Sequence, residues 1–193
     1  MMASVVSMRK MPRQVEPAAS APPELASLFR TYAPQVERWV ARLGGPSVDA
    51  EDVVQEVFLV VQRRLVEWRA EAKLTTWLYR ITERVVHRQR RKQRMSKWLR
   101  GLAGDFTDQI PTERLTPVDE LERKQASRTV YAALDALERK QRAIVVLFEI
   151  DGLSGDEIAT LTWTKLATVW VQLHRGRARF LKRLQEMEKR GQT

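Results

Sequence analysis

Apolar residues recur at steps of three and four along most of this sequence, and no segment shows the strict alternation of a half-buried strand. Leu25, Leu28, Phe29 and Tyr32 precede Pro34, and Val36, Trp39, Val40 and Leu43 follow it. These steps put the side chains on one face of a helix, which Pro34 is expected to kink or divide because proline has no amide proton. Gly44, Gly45 and Pro46 stop the pattern, and Ser47 or Asp49 can cap the next helix by accepting a hydrogen bond from its free amides. In that helix Val53, Val57, Val60, Val61, Leu65 and Trp68 form one stripe. A third helix, starting near Thr75 or Thr76, turns Leu78, Ile81 and Val85 inward.

The periodicity breaks between about Arg94 and Val118, where Gly101, Gly104, Pro111 and Pro117 stand among scattered acids. It returns at Leu121, Val130, Leu134 and Leu137 and continues at Ile144, Leu147 and Phe148. A long last segment carries Val169, Leu173, Phe180, Leu184 and Met187. Pro12, Pro17, Pro22 and Pro23 mark a stretch with little to bury, read as a disordered tail. The expectation is an all-α chain of two small helical domains joined by a flexible linker: a tail over 1–23, a block over 24–94, a linker over 95–124, a block over 125–187 and a tail over 188–193. Blocks of about 70 residues bury only about 60% of their unfolded surface and are marginal alone, so partner binding bears on their order.

Charge narrows the partner. The 34 Lys and Arg outnumber the 24 Asp and Glu, a formal net charge of +10, which points to a polyanion, nucleic acid first and an anionic membrane surface second. The chain has no cysteine, hence no disulfide framework, thiolate metal site or cysteine nucleophile. No apolar run approaches the roughly 18 to 20 residues that span a bilayer, and Met1 to Ser20 lacks the apolar core of a signal peptide, so the expected location is cytoplasmic. Neither a glycine-rich phosphate loop, a metal-ligand cluster nor a nucleophile motif is present, and His87 and His174 stand far apart among arginines. The expectation is therefore no enzyme, no cofactor, no metal, no small-molecule substrate and no membrane insertion.

The net charge hides a partition. Arg88, Arg90, Arg91, Lys92, Arg94, Lys97 and Arg100 follow one another without an acid, whereas Asp49, Glu51, Asp52 and Glu56 form a cluster without a cation. On a helix Arg84, Arg88, Arg91 and Lys92 share a face, while Arg90, Arg94 and Lys97 point elsewhere. A solvated helix end explains such a run as well as a phosphate-binding surface does. Trp77 and Tyr79 just upstream favour nucleic acid, since aromatic faces stack unpaired bases while cations hold phosphates, although Trp77 also suits a core. The acids open a helix, where the dipole stabilises them; the functional alternative is a docking face for a basic partner. Arg175, Arg177, Arg179, Lys182 and Arg183 form a second cationic region on the last helix, which is also the expected wet face of a packed helix.

Gly152-Leu153-Ser154, followed by Asp156-Glu157-Ile158-Ala159, reads as a helix start, with Ser154 as N-cap and Glu157 completing a capping box. The small Ala159 permits close packing, and Val169 falls where a second helix needs a buried anchor. The spacing suits a helix-turn-helix, whose second helix enters the DNA major groove. Trp163 stands in the turn where glycine would ease the backbone.

With these segments in view, the chain resembles the extracytoplasmic-function sigma factors, the small two-domain kind that direct bacterial RNA polymerase to promoters. DAEDVVQEVF from Asp49 and TTWLYRI from Thr75 are similar to that family's region 2; DGLSGDEIA from Asp151 and LHRGRARF from Leu173 are similar to its region 4. The resemblance covers about residues 24–94 and 125–185. It implies that the acidic helix from Asp49 to Phe58, with Asp52, Gln55 and Glu56, docks on core RNA polymerase. It implies that the helix from Thr75 to Arg91 engages the −10 element and extruded bases through Trp77, Arg80, Arg84, Arg88 and Arg91. The helix from about Leu166 is implied to read the −35 element through Thr168, Trp170, Val171, His174 and Arg175. Promoter DNA and core polymerase are the implied partners, with an anti-sigma factor as inhibitor, and residues 95 to 120 are implied to thread along the polymerase.

The sequence also departs from the family. Arg84 and Arg88 stand where Asn and Asp are common, which raises phosphate attraction near the −10 bases. Trp163 replaces the turn glycine, Lys165 a frequent turn proline, and Trp170 and Gln172 commonly basic recognition positions. The rival reading is a stand-alone helix-turn-helix regulator whose first block serves dimerisation or effector binding. A peripheral membrane protein anchored by Trp98 and Leu99 is a third, opposed by the lack of a sustained apolar face from Arg88 to Lys97.

Overall fold

The computed structural model describes residues 24–68, 73–102 and 119–191. Its elements are α1 (Leu25–Gly44), α2 (Ala50–Arg64), a short 3₁₀ turn (Leu65–Glu67), α3 (Leu74–Leu102), α4 (Asp119–Leu134), α5 (Arg139–Val145), a π-turn (Val146–Ile150), α6 (Gly155–Thr162) and α7 (Leu166–Gly191). Among the described residues there is no strand, in keeping with the all-α expectation. The expected N-terminal tail, most of the linker and the last two residues lie outside the described residues.

The helix faces follow the apolar spacing. Leu28, Tyr32, Val36, Trp39, Val40 and Leu43 of α1 are buried against Val53, Val57 and Val61 of α2 and Leu78, Ile81, Val85 and Val86 of α3. In the second unit Leu134, Leu137, Ile144, Leu147, Ile158, Val169 and Leu173 bury together. Asp49 caps α2, its carboxylate accepting from the Asp52 amide at 3.1 Å.

Of the two effects expected of Pro34, a kink or a division, the division does not occur: α1 runs from Leu25 to Gly44 with the proline inside it. Two expectations fail locally. Phe29 is 47% exposed although it falls on the apolar period. And α3 passes Arg94 and continues to Leu102, although Met95, Trp98 and Leu99 are all exposed. Periodicity reports a buried face, and these three apolar residues do not form one.

The two units pack on each other. Buried residues of both belong to one continuous apolar cluster, and Gly45 lies against the ring of Tyr131, so close that a Cβ would sit 2.4 Å from it. With φ at 76° as well, this position takes glycine for two independent reasons.

Candidate nucleic-acid interface

On α2 the expected docking residues separate by role. Asp52, Gln55 and Glu56 project from one face, with Leu59, 53% exposed, completing the same stripe at the next turn. Asp49 is occupied as the cap. Phe58 is buried, and it holds the exposed Phe29 edge-on at 4.7 Å between centroids. Phe29 and Leu59 thus add apolar area beside the acids, and only their exposure reveals it. Glu56 accepts a hydrogen bond from Arg88 of α3, which ties the acidic helix to the basic one.

The α3 cations divide three ways. Arg80 and Arg84 are exposed and line a cavity of about 550 Å³ with Glu83, Arg139, Lys140, Trp163, Thr164, Thr168 and Gln172. Arg88 faces α2. Arg91 lines a separate cavity of about 510 Å³ with His87, Arg90, Arg94, Met95 and Trp98. Burial and then the neighbouring Arg139 guanidinium hold His87 below the usual imidazole range. Trp77 is half-buried and packs on the core, while Tyr79 is buried, edge-on to Trp39 at 5.2 Å.

The helix-turn-helix forms as its spacing predicts. Ser154 N donates to Glu157 Oε2 at 2.8 Å, and Glu157 N donates to Ser154 Oγ at 3.3 Å, closing the capping box. The Ser154 amide, and after it the hydroxyl, hold the Glu157 carboxyl below the usual carboxylate range. At the other end Trp163 takes left-handed backbone angles, φ 51° and ψ 51°, the single positive-φ residue other than glycine among those described. Val169 and Leu173 anchor α7 from beneath, leaving Thr168, Val171, His174 and Arg175 exposed. Trp170 is turned partly inward: it meets Phe148 edge-on at 5.8 Å and covers Gly155, where a Cβ would fall 2.6 Å from its ring. Thr168 is therefore brought together with Arg80 and Arg84, whereas His174 and Arg175 line another surface with Glu138 and Arg179. Among the described residues no three His, Cys, Asp or Glu side chains converge as a metal site requires.

The family models fall on these two units. Residues 28–95 match sigma-70 region 2 and residues 127–180 match sigma-70 region 4. The chain belongs to the sigma-70 family, in its extracytoplasmic-function branch. It is 36% identical over 159 residues to the ECF RNA polymerase sigma factor SigE of Mycolicibacterium smegmatis, covering 82% of this chain and 60% of that relative's length. It is 28% identical over 167 residues to the ECF RNA polymerase sigma factor SigW of Bacillus subtilis, covering 84% and 89% of the two chains. Two solved structures share the fold, each with a TM-score of 0.54 and 20% identity: CnrH in complex with the cytosolic domain of CnrY, covering 84% of this chain and 88% of that one, and the sigma factor RpoE of Bartonella quintana in complex with the anti-sigma factor NepR, covering 83% and 96%. In sigma-70 terms α1 to α3 are region 2, and α4 to α7 are region 4.

Proposed function

We propose that this chain is an alternative sigma factor that binds bacterial core RNA polymerase, recruits it to promoter DNA and helps open the strands. Region 2 docks on polymerase through Asp52, Gln55, Glu56 and the exposed Phe29 and Leu59, with Asp49 and Phe58 holding that face in shape. Arg80, Arg84, Arg88 and Arg91 attract the DNA near the −10 element, with Trp77 beside them. Region 4 reads the −35 element with the face of α7 bearing Thr168, Val171, His174 and Arg175, Trp170 flanking it. The protein works in the cytoplasm and carries out no covalent chemistry of its own; polymerase supplies the catalysis. An anti-sigma factor is a fitting inhibitor, as the two solved relatives were captured in such complexes or with a partner's cytosolic domain.

The observation that carries this reading is the pairing, in one chain and in family order, of an acidic region 2 helix with a capped helix-turn-helix whose second helix bares a polar face. A stand-alone regulator would leave the region 2 face without a role. The test is a pull-down of core polymerase by the Asp52→Lys, Glu56→Lys double variant. Binding should be lost while the helical circular dichroism is kept, since the exposed Arg88–Glu56 pair contributes at most about 1 kcal/mol. Undiminished binding by that variant refutes the docking face.

A further inference from the structure

One face of α3 lines the cavity of about 510 Å³. His87, Arg91, Arg94 and Trp98 follow one another there at steps of three and four, with Met95 beside them, and Leu137 and Arg139 of the second unit complete the wall. Small-molecule sites usually enclose about 300 to 1,000 Å³, so the space suits one small ligand.

Its charge has one sign. The guanidiniums of Arg90, Arg91, Arg94 and Arg139 line it, and no carboxylate does. Arg90 pairs with Asp135, which also accepts from Arg142 Nη1 at 3.1 Å, and Arg139 forks onto both carboxylate oxygens of Glu83. Those acids hold two of the guanidiniums in place. Arg91 and Arg94, three residues apart on α3, are exposed and make no ion pair among the described residues. A cleft lined by one sign of charge focuses its field on an ion of the other sign. His87 registers that field: burial, and then Arg139, Arg90 and Arg91 against the opposing Glu83, hold it below the usual imidazole range. Its ring is neutral at pH 7 and brings one donor and one acceptor to the cavity.

The rest of the lining is apolar. Trp98 is 62% exposed and Met95 50%, an indole and a thioether open to solvent, with Leu137 buried near them. An inorganic anion would use the cations and leave Trp98 wet. A purely apolar ligand would desolvate two guanidiniums and pair neither. A planar base carrying several phosphates at one end answers both, because a base stacks on an aromatic face while guanidiniums fork onto phosphate oxygens. A nucleic-acid strand offers the same groups but spaces its phosphates one to a base, whereas here two free cations stand side by side next to one indole.

We propose that this cavity binds a free nucleoside polyphosphate, with its phosphates on Arg91 and Arg94 and its base against Trp98. The site adds a ligand, not a reaction, and stands independently of the sigma-factor reading.

The test is equilibrium dialysis of the full-length protein against labelled ATP and, separately, labelled GTP. At least one of the two is retained at one equivalent. Trp98→Ala weakens that binding by at least about fivefold and Arg94→Gln by about tenfold, while Arg63→Gln, which removes an exposed cation of α2, leaves it unchanged. Trp98 and Arg94 are both exposed, so neither exchange empties the core. Retention of neither nucleotide at millimolar concentration overturns the site, as does binding that Trp98→Ala and Arg94→Gln leave intact. An equal loss in Arg63→Gln marks general attraction to a basic chain and overturns it too. Tripolyphosphate that displaces the nucleotide as well as unlabelled nucleotide does overturns the base contact, and hexathymidylate that displaces it at lower concentration assigns the cavity to a strand and overturns the free ligand.

Discussion

The Arg142 guanidinium donates twice to the Leu43 carbonyl, joining two residues 99 positions apart across the seam between the helical units. Burial, and then the nearby Arg90, lower its pKa to about 10, which still leaves it charged at neutral pH. Replacing it by alanine strands a buried carbonyl and removes one of the two cations on Asp135. Arg142→Ala is expected to lose about 2 kcal/mol in urea unfolding, given about 1 to 3 kcal/mol for an orphaned buried acceptor. A loss too small to resolve would mean that the carbonyl finds water and the seam is not tight.

Trp163 holds a left-handed conformation with an ordinary side chain. Comparing Trp163→Gly with Trp163→Ala isolates the backbone, because both remove the ring and its contact with Arg80. The glycine variant should be more stable than the alanine variant by on the order of 1 kcal/mol. Thermal unfolding of the pair decides it, and equal midpoints contradict the strain.

Tyr79 is buried, and among the described residues its hydroxyl has no hydrogen-bond partner. Burial accordingly raises its pKa. Tyr79→Phe deletes a polar atom the core does not use and keeps the ring against Trp39. The expected outcome is unchanged stability or a gain of up to about 1 kcal/mol; a clear loss points to a partner for that hydroxyl.

The capping box carries a pH signature. Glu157 has a folded-state pKa below its ordinary value, chiefly through the Ser154 amide, so its contribution is complete above the unfolded value of about 4.3 and is lost as pH falls through the lower folded value. Glutamine can still accept the Ser154 hydrogen bond but does not titrate. The stability gap between wild type and Glu157→Gln should therefore be constant near neutrality and close below about pH 4. A gap that widens on acidification has the wrong sign for this account.

Local chemistry was readable in the sequence and distant pairing was not. Ser154 and Glu157 are three residues apart, and their box formed as the spacing implied; the Val169 anchor and the awkward turn at Trp163 were legible for the same reason. Pro34 does not divide α1, because the buried face of that helix outweighs the lost helical bond and the crowding of the ring. The cationic run holds no acid of its own, yet Arg88 turns to Glu56 and Arg90 to Asp135, acids 32 and 45 residues away. No periodicity encodes such partners. The seam between the regions was invisible for the same reason: Arg139 and Arg142 meet Glu83 and Leu43, 56 and 99 residues away.

The central claim is that this chain programs RNA polymerase, and reconstitution tests it most directly. Purified full-length protein is mixed with bacterial core polymerase and fragmented genomic DNA of its source, and run-off transcripts are mapped. The account predicts discrete start sites that depend on the added protein and share upstream elements at two fixed spacings. Polymerase that neither binds the protein nor starts at new sites, while the protein alone retards DNA, would contradict it.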